Sequence, residues 1–175
     1  MQIIDNFLSK TYFKEIQNIL LSDNFPWFYY DNISVIKENS KNLTNFGFAH
    51  VFINNGENNS QLVDFFKPAM FKIMDVTNCN TILRCRADMT VNTAMPTIHD
   101  PHTDYKQPNV ASIIYMNESD GDTIFYKDDK LEVINRVSPV PNRLVIFKGH
   151  NLHTGCGPTK FKKRILINSN FYKKS

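Results

Sequence analysis

The chain has 175 residues, enough for one domain with a sizeable core and too few for two comfortable ones. Hydrophobic residues make up 42% and charged residues 21%, which argues against a disordered, collagen-like or coiled-coil chain. The net charge of +3 is too small to indicate a nucleic-acid or membrane-surface partner, and no apolar run approaches a membrane span. We therefore expect a single soluble domain over residues 1–175.

The cysteines and the N-terminus indicate a compartment. Cys79, Cys85 and Cys156 are an odd number without CxxC spacing, so neither a disulfide framework nor a zinc ribbon is predicted. The segment Met1–Asn6 has no basic region of the kind that opens a signal peptide. The sequence thus predicts reduced thiols in a cytoplasmic protein.

Residues 1–80 are expected to provide helical support and substrate-contacting segments. Ser9 is a candidate N-cap for a first helix, and Pro68 is expected either to kink a second helix or to start a new one. Apolar residues recur at helical spacing in both segments: Phe13, Ile16, Ile19 and Leu20 in the first, and Leu62, Phe65, Phe66, Met70, Ile73 and Met74 in the second.

Two other N-terminal segments have a distinctive composition. The aromatic cluster Phe25–Tyr30 favours core packing or a wall for a sheet, because aromatic side chains bury large apolar areas. The segment Asn54–Ser60 has turn chemistry throughout and is predicted to be an exposed loop.

After Cys79 the hydrophobic period changes from about 3.6 to 2 residues. Apolar residues from Leu83 to Val91 alternate with Arg84, Arg86, Asp88 and Thr90, which is typical of a half-buried strand. Turn-rich links at 119–122 and 127–130 separate some of the later strands. Many short strands after N-terminal helices predict a sandwich or barrel with helices packed on one side. The further strand candidates are Val110–Met116, Thr123–Tyr126, Leu131–Val137, Arg143–Phe147 and Arg164–Phe171.

Histidines and an aspartate form a candidate metal site. His102 and Asp104 stand at i and i+2, so on an extended chain both project from one face, whereas the adjacent His99 and Asp100 do not. With His153 as a third ligand they would form the two-histidine, one-carboxylate triad of non-haem Fe(II) oxygenases, which leaves three coordination positions open. The competing interpretation treats them as ordinary loop and strand-end residues.

The same region resembles a known family. The matching segments are 101–105 (PHTDY), 112–117 (SIIYMN), 120–125 (DGDTIF), 142–147 (NRLVIF), 153–155 (HTG) and 163–168 (KRILIN). In this order they are similar to the 2-oxoglutarate and Fe(II)-dependent dioxygenases. The prolyl 4-hydroxylase-like branch is the best match, particularly its small, phage-encoded members, and the resemblance covers roughly residues 81–172.

The resemblance implies a fold and a set of roles. The fold would be a double-stranded β-helix, or cupin-like jelly roll, with residues 81–175 as the catalytic core. His102, Asp104 and His153 would bind Fe(II). Arg164 would bind the distal carboxylate of 2-oxoglutarate with help from Tyr115. The co-substrates would be 2-oxoglutarate and O2, with ascorbate as an accessory reductant.

One departure from the family pattern concerns the strand before the His-x-Asp motif. Related hydroxylases often place a co-substrate-binding tyrosine there, whereas residues 87–90 contain none. Thr90 or Arg86 could substitute for it.

The remaining candidates concern the rim of the site. His150 is an alternative to His153 as the distal ligand, although its spacing to Arg164 is longer than the family habit. His99 could orient substrate or a metal ligand from beside the site. The candidate substrate-contacting residues are His99, Trp27, Tyr29 and Tyr105.

The resemblance implies hydroxylation of a peptidyl proline or another protein side chain, with 2-oxoglutarate converted to succinate. Alternatives are the same chemistry on a small metabolite, a lipid-linked group or a nucleobase, although the small net charge argues against nucleic acid. A cupin-like zinc or manganese enzyme and a catalytically silent binding module are the alternatives from other classes. We expect a monomer or weak homodimer, in the host cytoplasm if the chain is phage-encoded.

Overall fold

The computed structural model describes residues 1–34, 42–105, 107–127 and 131–173. Two helices lie in the N-terminal half, α1 (Lys10–Leu20) and α2 (Val63–Thr77). None of the helices in these four ranges is long and apolar enough to span a bilayer. The strands are β1 (Gln2–Ile4), β2 (Phe28–Tyr30), β3 (Gly47–Asn54), β4 (Glu57–Asn58), β5 (Thr81–Val91), β6 (Val110–Tyr115), β7 (Thr123–Tyr126), β8 (Val133–Val137), β9 (Leu144–Lys148), β10 (His153–Gly155) and β11 (Lys163–Tyr172).

The strands form two antiparallel sheets. The large sheet has the order β1-β9-β6-β11-β5-β3-β2, with β4 paired to β3, and the small sheet has the order β10-β7-β8. Apolar side chains fill the space between the sheets, so the molecule has the layered core of a jelly roll. The predicted double-stranded β-helix is therefore confirmed. This inner core consists of Ala111, Ile113, Tyr115, Phe125, Val137, Val145, Phe147 and Leu166.

The helices cover the other face of the large sheet, as predicted. Ser9 caps α1 by accepting a hydrogen bond from the Tyr12 amide at 3.4 Å, and α2 continues through Pro68 without a break. The thiol of Cys85 is fully buried in this layer, and burial raises its pKa to about 12. This cysteine is therefore an unreactive packing residue.

The N-terminal half contributes more strand than its sequence indicates. β3 lies inside the large sheet between β5 and β2, yet most of its residues are buried regardless of the face they occupy. A strand covered on both faces lacks the period-2 alternation by which β5 was predicted. The loop predicted at 54–60 contains a tight turn, with positive φ at Asn55 (51°) and Gly56 (81°), which joins β3 to the short β4.

The aromatic cluster divides between core and surface. Phe25 is buried and Trp27 packs edge-on against it, with ring centroids 4.8 Å apart. Phe28, Tyr29 and Tyr30 form β2, at the end of the large sheet, and all three side chains are exposed. Core packing is therefore correct for the start of the cluster and wrong for its end.

Phe66 should be the main attachment of α2 to the sheet. It stacks on Phe52 of β3 with centroids 4.0 Å apart, and both side chains are at most 1% exposed. We expect Phe66→Ala to lower the free energy of unfolding by about 3–5 kcal/mol, because it leaves a cavity in a close-packed layer. Chemical denaturation measures this. Phe71→Ala on the same helix is the control, because Phe71 is 51% exposed and its loss should cost less than about 0.5 kcal/mol.

Candidate active site

A ladder of polar side chains lies on the inner face of the large sheet, which is the face turned toward the small sheet. β5 and β11 are neighbouring antiparallel strands, and their alternate residues face the small sheet. The polar residues predicted on one face of β5 therefore point inward, whereas Cys85 and Ala87 join the core on the helix side. We call the end at Thr90 the lower end of the ladder and the end at Arg84 the upper end. From lower to upper, the directly opposed pairs are Thr90 with Arg164, Asp88 with Leu166, Arg86 with Asn168, and Arg84 with Asn170.

Three potential metal ligands meet at the upper end of this ladder. The ligand atoms of His102, Asp104 and His153 all lie within 4.8 Å of one another. His102 and His153 exchange backbone hydrogen bonds of 2.9 and 3.0 Å, and the Asp104 amide donates to the Gly149 carbonyl at 3.0 Å. His102 and His153 form an isolated β-bridge, and the His102 imidazole and the Asp104 carboxylate converge on one point, as predicted from their spacing.

Both imidazoles are oriented for metal binding. The Nδ1 atom of His102 lies 3.0 Å from the Asp100 carbonyl, and that of His153 lies 2.9 Å from the Asn151 carbonyl. Because a carbonyl only accepts, Nδ1 carries the proton in the neutral ring and Nε2 is left free to bind a cation. Burial, with His153 nearby, lowers the pKa of His102 to about 4, so this ring is neutral at pH 7.

The carboxylate of Asp104 is fixed from two sides. Arg84 Nη2 donates to Oδ1 at 2.8 Å, and Asn170 Nδ2 donates to Oδ2 at 3.0 Å. Burial alone would raise the pKa of Asp104, but the neighbouring His153 and Arg84 hold it below its usual value. Two imidazoles and one carboxylate are the donor set that non-haem Fe(II) takes in oxygenases, so these residues fit that ion.

A polar cavity of about 50 Å³, called the inner cavity, lies beside the metal ligands. It is lined by residues of the lower part of the ladder. Five buried side-chain polar atoms have no hydrogen-bond partner among the described residues, and four of them belong to residues that line this cavity: Asp88 Oδ1, Thr90 Oγ1, Arg164 Nε and Asn168 Oδ1. Because buried polar groups are normally paired, these atoms indicate a polar ligand, and the Arg164 guanidinium favours an anionic group on it.

Arg164 is the buried cation of this cavity. Its Nη2 atom donates to Thr123 Oγ1 at 2.7 Å, and its guanidinium lies 5.5 Å from the ring centroid of Tyr115. Gly155 is the glycine of the His153-Thr154-Gly155 motif. A Cβ there would lie 3.2 Å from Arg164 Nη1, so a larger residue would crowd the guanidinium.

Tyr115 lies behind this cation instead of lining the cavity. Its hydroxyl is 2.6 Å from Thr123 Oγ1, and Thr123 is the residue whose side chain reaches the cavity wall. Sequence analysis assigned no role to Thr123, which opens β7 inside the matching segment 120–125, because its contact with Arg164 is made across the two sheets.

A second cavity, of about 270 Å³ and called the outer cavity, adjoins the first one. The two share four lining residues, Ile33, Ser34, Arg86 and His102. Arg84, Arg86, His102 and Asp104 line the outer cavity. Tyr30, from the aromatic cluster, lines it together with three N-terminal residues that sequence reasoning missed, Asn32, Ile33 and Ser34. No periodic pattern marks this segment. It is held in place because Asn45 bonds to Ser34 and the Arg86 guanidinium donates to the Ile33 carbonyl at 3.0 Å.

Only some of the predicted rim residues lie at the site. His99 is buried and lines the inner cavity. The ring of Tyr105 lies under the Arg84 guanidinium, with 5.5 Å between Arg84 Cζ and the ring centroid. Trp27 packs on Phe25, so it is not brought to either cavity. Tyr29 packs against the rings of Phe46 and Phe48, and its neighbour Tyr30 lines the outer cavity instead.

The distal histidine and the tyrosine substitutes are also placed. His153 belongs to the group of three ligands, whereas His150 is exposed on the preceding turn and lines a different cavity. Thr90 and Arg86 both line the inner cavity. Arg86 Nε lies 2.8 Å from Asp88 Oδ1, so its charge is already paired, whereas the Thr90 hydroxyl is unpartnered among the described residues.

His99 should make the metal-free protein acid-sensitive. Burial and the nearby Arg164 lower its pKa from 6.5 to about 4. Between these pH values the unfolded chain takes up a proton that the folded chain does not. The free energy of unfolding should therefore fall by on the order of 3 kcal/mol as the pH drops through this window. Denaturation of the metal-free protein at pH 7 and 4.5 tests this, and His99→Gln should reduce the difference.

Comparison with known proteins identifies the family. A sequence model of the 2OG-Fe(II) oxygenase superfamily matches residues 89–172, which contain all three potential metal ligands and Arg164. Residues 89–172 are therefore a segment of the 2OG-Fe(II) oxygenase type. The oxygenase uses Fe(II), 2-oxoglutarate and O2, and the predicted family is confirmed.

Solved structures share the fold of this oxygenase. A prolyl hydroxylase from Trichoplax adhaerens, in complex with a hypoxia inducible factor peptide fragment, has a TM-score of 0.70 at 15% identity and covers 98% of this chain and 83% of its own. A Pseudomonas putida prolyl-4-hydroxylase has a TM-score of 0.66 at 14% identity, covering 99% and 92%. The α-ketoglutarate-dependent epimerase SnoN has a TM-score of 0.67 at 9% identity, covering 98% and 77%. No curated protein matches the sequence.

Proposed function

We propose that this oxygenase is a hydroxylase of protein side chains, with peptidyl proline as the first candidate. In the proposal His102, Asp104 and His153 hold Fe(II), and Arg164 holds 2-oxoglutarate. The observation that carries it is the position of the three ligands, which line two adjoining cavities: His102 and His153 line the inner one, and His102 and Asp104 line the outer one. The inner cavity has the buried Arg164 for an anionic co-substrate, and the larger outer cavity is left for a substrate.

In the proposal, the three ligands bind and orient the metal for its chemistry. When bound, Fe(II) couples the oxidative decarboxylation of 2-oxoglutarate by O2 to insertion of one oxygen atom into a substrate C–H bond, releasing succinate and CO2. The protein supplies three ligands and leaves the other positions open. The hydrogen bonds from Nδ1 to backbone carbonyls orient both imidazoles, so Nε2 is the nitrogen of each ring that is available to the metal.

The inner cavity provides the proposed co-substrate site. Arg164 can form a charge-assisted pair with a carboxylate, and its unpartnered Nε atom is available for that contact. Thr123 fixes the guanidinium from one side. The unpartnered Thr90 hydroxyl and Asn168 carboxamide are proposed as further contacts, so Thr90 takes the place of the tyrosine found in related hydroxylases.

The outer cavity provides the proposed substrate approach. Tyr30 and the segment of Asn32 to Ser34 form its N-terminal wall, and they lie next to the exposed side chains of β2. Exposed aromatic residues beside a cleft are suited to binding an extended peptide. The Trichoplax relative is described in complex with a peptide, which supports the same substrate class here.

Anaerobic titration tests the metal and co-substrate assignment. Fe(II) and 2-oxoglutarate added together should produce a visible metal-to-ligand charge-transfer band that neither gives alone. The band should disappear in His153→Ala and persist in His150→Ala, because His150 lies on an exposed turn. No band in the folded wild-type protein would count against the proposal and favour a zinc or manganese enzyme or a binding module.

Succinate release tests the substrate. Proline-containing peptide pools should stimulate succinate formation above the uncoupled rate, and the product peptide should gain the mass of one oxygen atom. Matched pools with alanine in place of proline are the control. Stimulation by metabolites or nucleotides but by neither peptide pool would overturn the protein-substrate proposal and leave the iron chemistry intact.

A further inference from the structure

Asp104 accepts one hydrogen bond on each carboxylate oxygen, from the two residues that form the upper pair of the ladder. Arg84 donates to Oδ1 and Asn170 donates to Oδ2, at 2.8 and 3.0 Å. The Asp104 side chain is only 2% exposed, so its orientation is determined by these donors and not by water.

The two donors are themselves connected. Arg84 Nε donates to Asn170 Oδ1 at 3.1 Å, and Asn170 Nδ2 is also 3.2 Å from Asn109 Oδ1. Asn109 accepts from the Gly149 amide through its backbone carbonyl, and the Gly149 carbonyl accepts from the Asp104 amide. Backbone and side chain of Asp104 are thus fixed by one closed network, which limits the rotation of the carboxylate.

We propose that Arg84 and Asn170 are positioning residues that hold Asp104 as a single-oxygen ligand of the metal. This inference rests on the proposed function. With a donor on each oxygen, the carboxylate has less freedom to turn both oxygens toward the ion. A second Asp104 oxygen on the metal would occupy a position that 2-oxoglutarate or O2 requires.

Asn170 allows the cleaner test, because it carries no charge. Removing Arg84 would lose a donor but would also remove a cation near the metal, and these two effects on metal affinity oppose each other. Asn170→Leu keeps the number and branching of the side-chain heavy atoms and replaces the carboxamide with two methyl groups. Its effect on the metal site therefore reports on the orientation of Asp104.

The experiment titrates the full-length variants with Co(II) alone and records affinity and visible spectrum. We expect Asn170→Leu to bind Co(II) about 10- to 100-fold more weakly than wild type, as is typical when a residue that orients a metal ligand is lost. Its d–d bands should also change in position or intensity. Asn135→Leu is the matched control for Co(II) binding, since Asn135 is an exposed strand residue on β8 and lines neither cavity of the site.

Arg84→Met provides a second variant if Asn170→Leu does not fold. The Co(II) bands should change in the same direction, and in the double variant the effects should be smaller than additive, because both residues fix one carboxylate. A folded Asn170→Leu or Arg84→Met protein with wild-type Co(II) spectrum and affinity would overturn the inference. If instead Asp104→Ala binds Co(II) like wild type, the proposed metal site itself is wrong.

Discussion

Asp104→Ala is expected to abolish succinate formation and to weaken Fe(II) binding by more than about 100-fold, beyond the usual effect of losing a residue that only orients a ligand. The substitution removes the one anionic donor from the group of three ligands. It also leaves the Arg84 guanidinium without its carboxylate partner beside the metal, which disfavours a second positive charge there. Metal titration and a succinate assay measure the two effects.

The control for this substitution is Asp64→Ala, because Asp64 is an exposed residue in the first turn of α2, paired only with Lys67. It should leave both quantities unchanged. The assignment of Asp104 fails if the Ala variant converts 2-oxoglutarate to succinate at the wild-type rate.

Arg164→Met should selectively remove co-substrate binding. Loss of one partner from a buried charge pair costs about 2–5 kcal/mol. The Kd for 2-oxoglutarate should therefore rise by about 30-fold to several thousand-fold. Co(II) binding should remain at its wild-type affinity, because Arg164 lies at the opposite end of the ladder from the residues that contact Asp104.

Arg143→Met is the matched control for Arg164→Met. Arg143 pairs with the exposed Asp5 at 2.6 Å on the surface and lines neither cavity of the site. Its loss should not change the Kd for 2-oxoglutarate. Equal affinity of wild type and Arg164→Met for 2-oxoglutarate, in the presence of metal, would exclude Arg164 as the carboxylate-binding residue.

The sequence predicted the parts of the site that depend on strand periodicity. His102 and Asp104 share a face because strand side chains alternate, and the same rule predicted the inward polar face of β5. Applied to β11 from Arg164, the rule also reaches Asn168 and Asn170, so a signal for both residues was present in the sequence. It was missed because an asparagine carries no metal-ligand or charge signature.

Other parts of the site depend on contacts that no local pattern reports. Thr123 reaches Arg164 from the other sheet, and Ile33 enters the cavity walls from an irregular segment of the N-terminal half. The strand β3 was not predicted for a related reason: it is buried on both faces, so its sequence lacks the alternation of apolar and polar residues that marks a strand. In each case tertiary packing, and not local propensity, determines the position.

The pairing register of β5 and β11 has a consequence for how the enzyme acquires activity. A slip of one residue in a strand turns every side chain to the opposite face. Here it would send Arg164 and Asn170 together into the apolar layer beneath the helices. The register of β5 and β11 therefore positions both the proposed co-substrate residue and the proposed anchor of Asp104, and a chain with this register shifted would lose the two together.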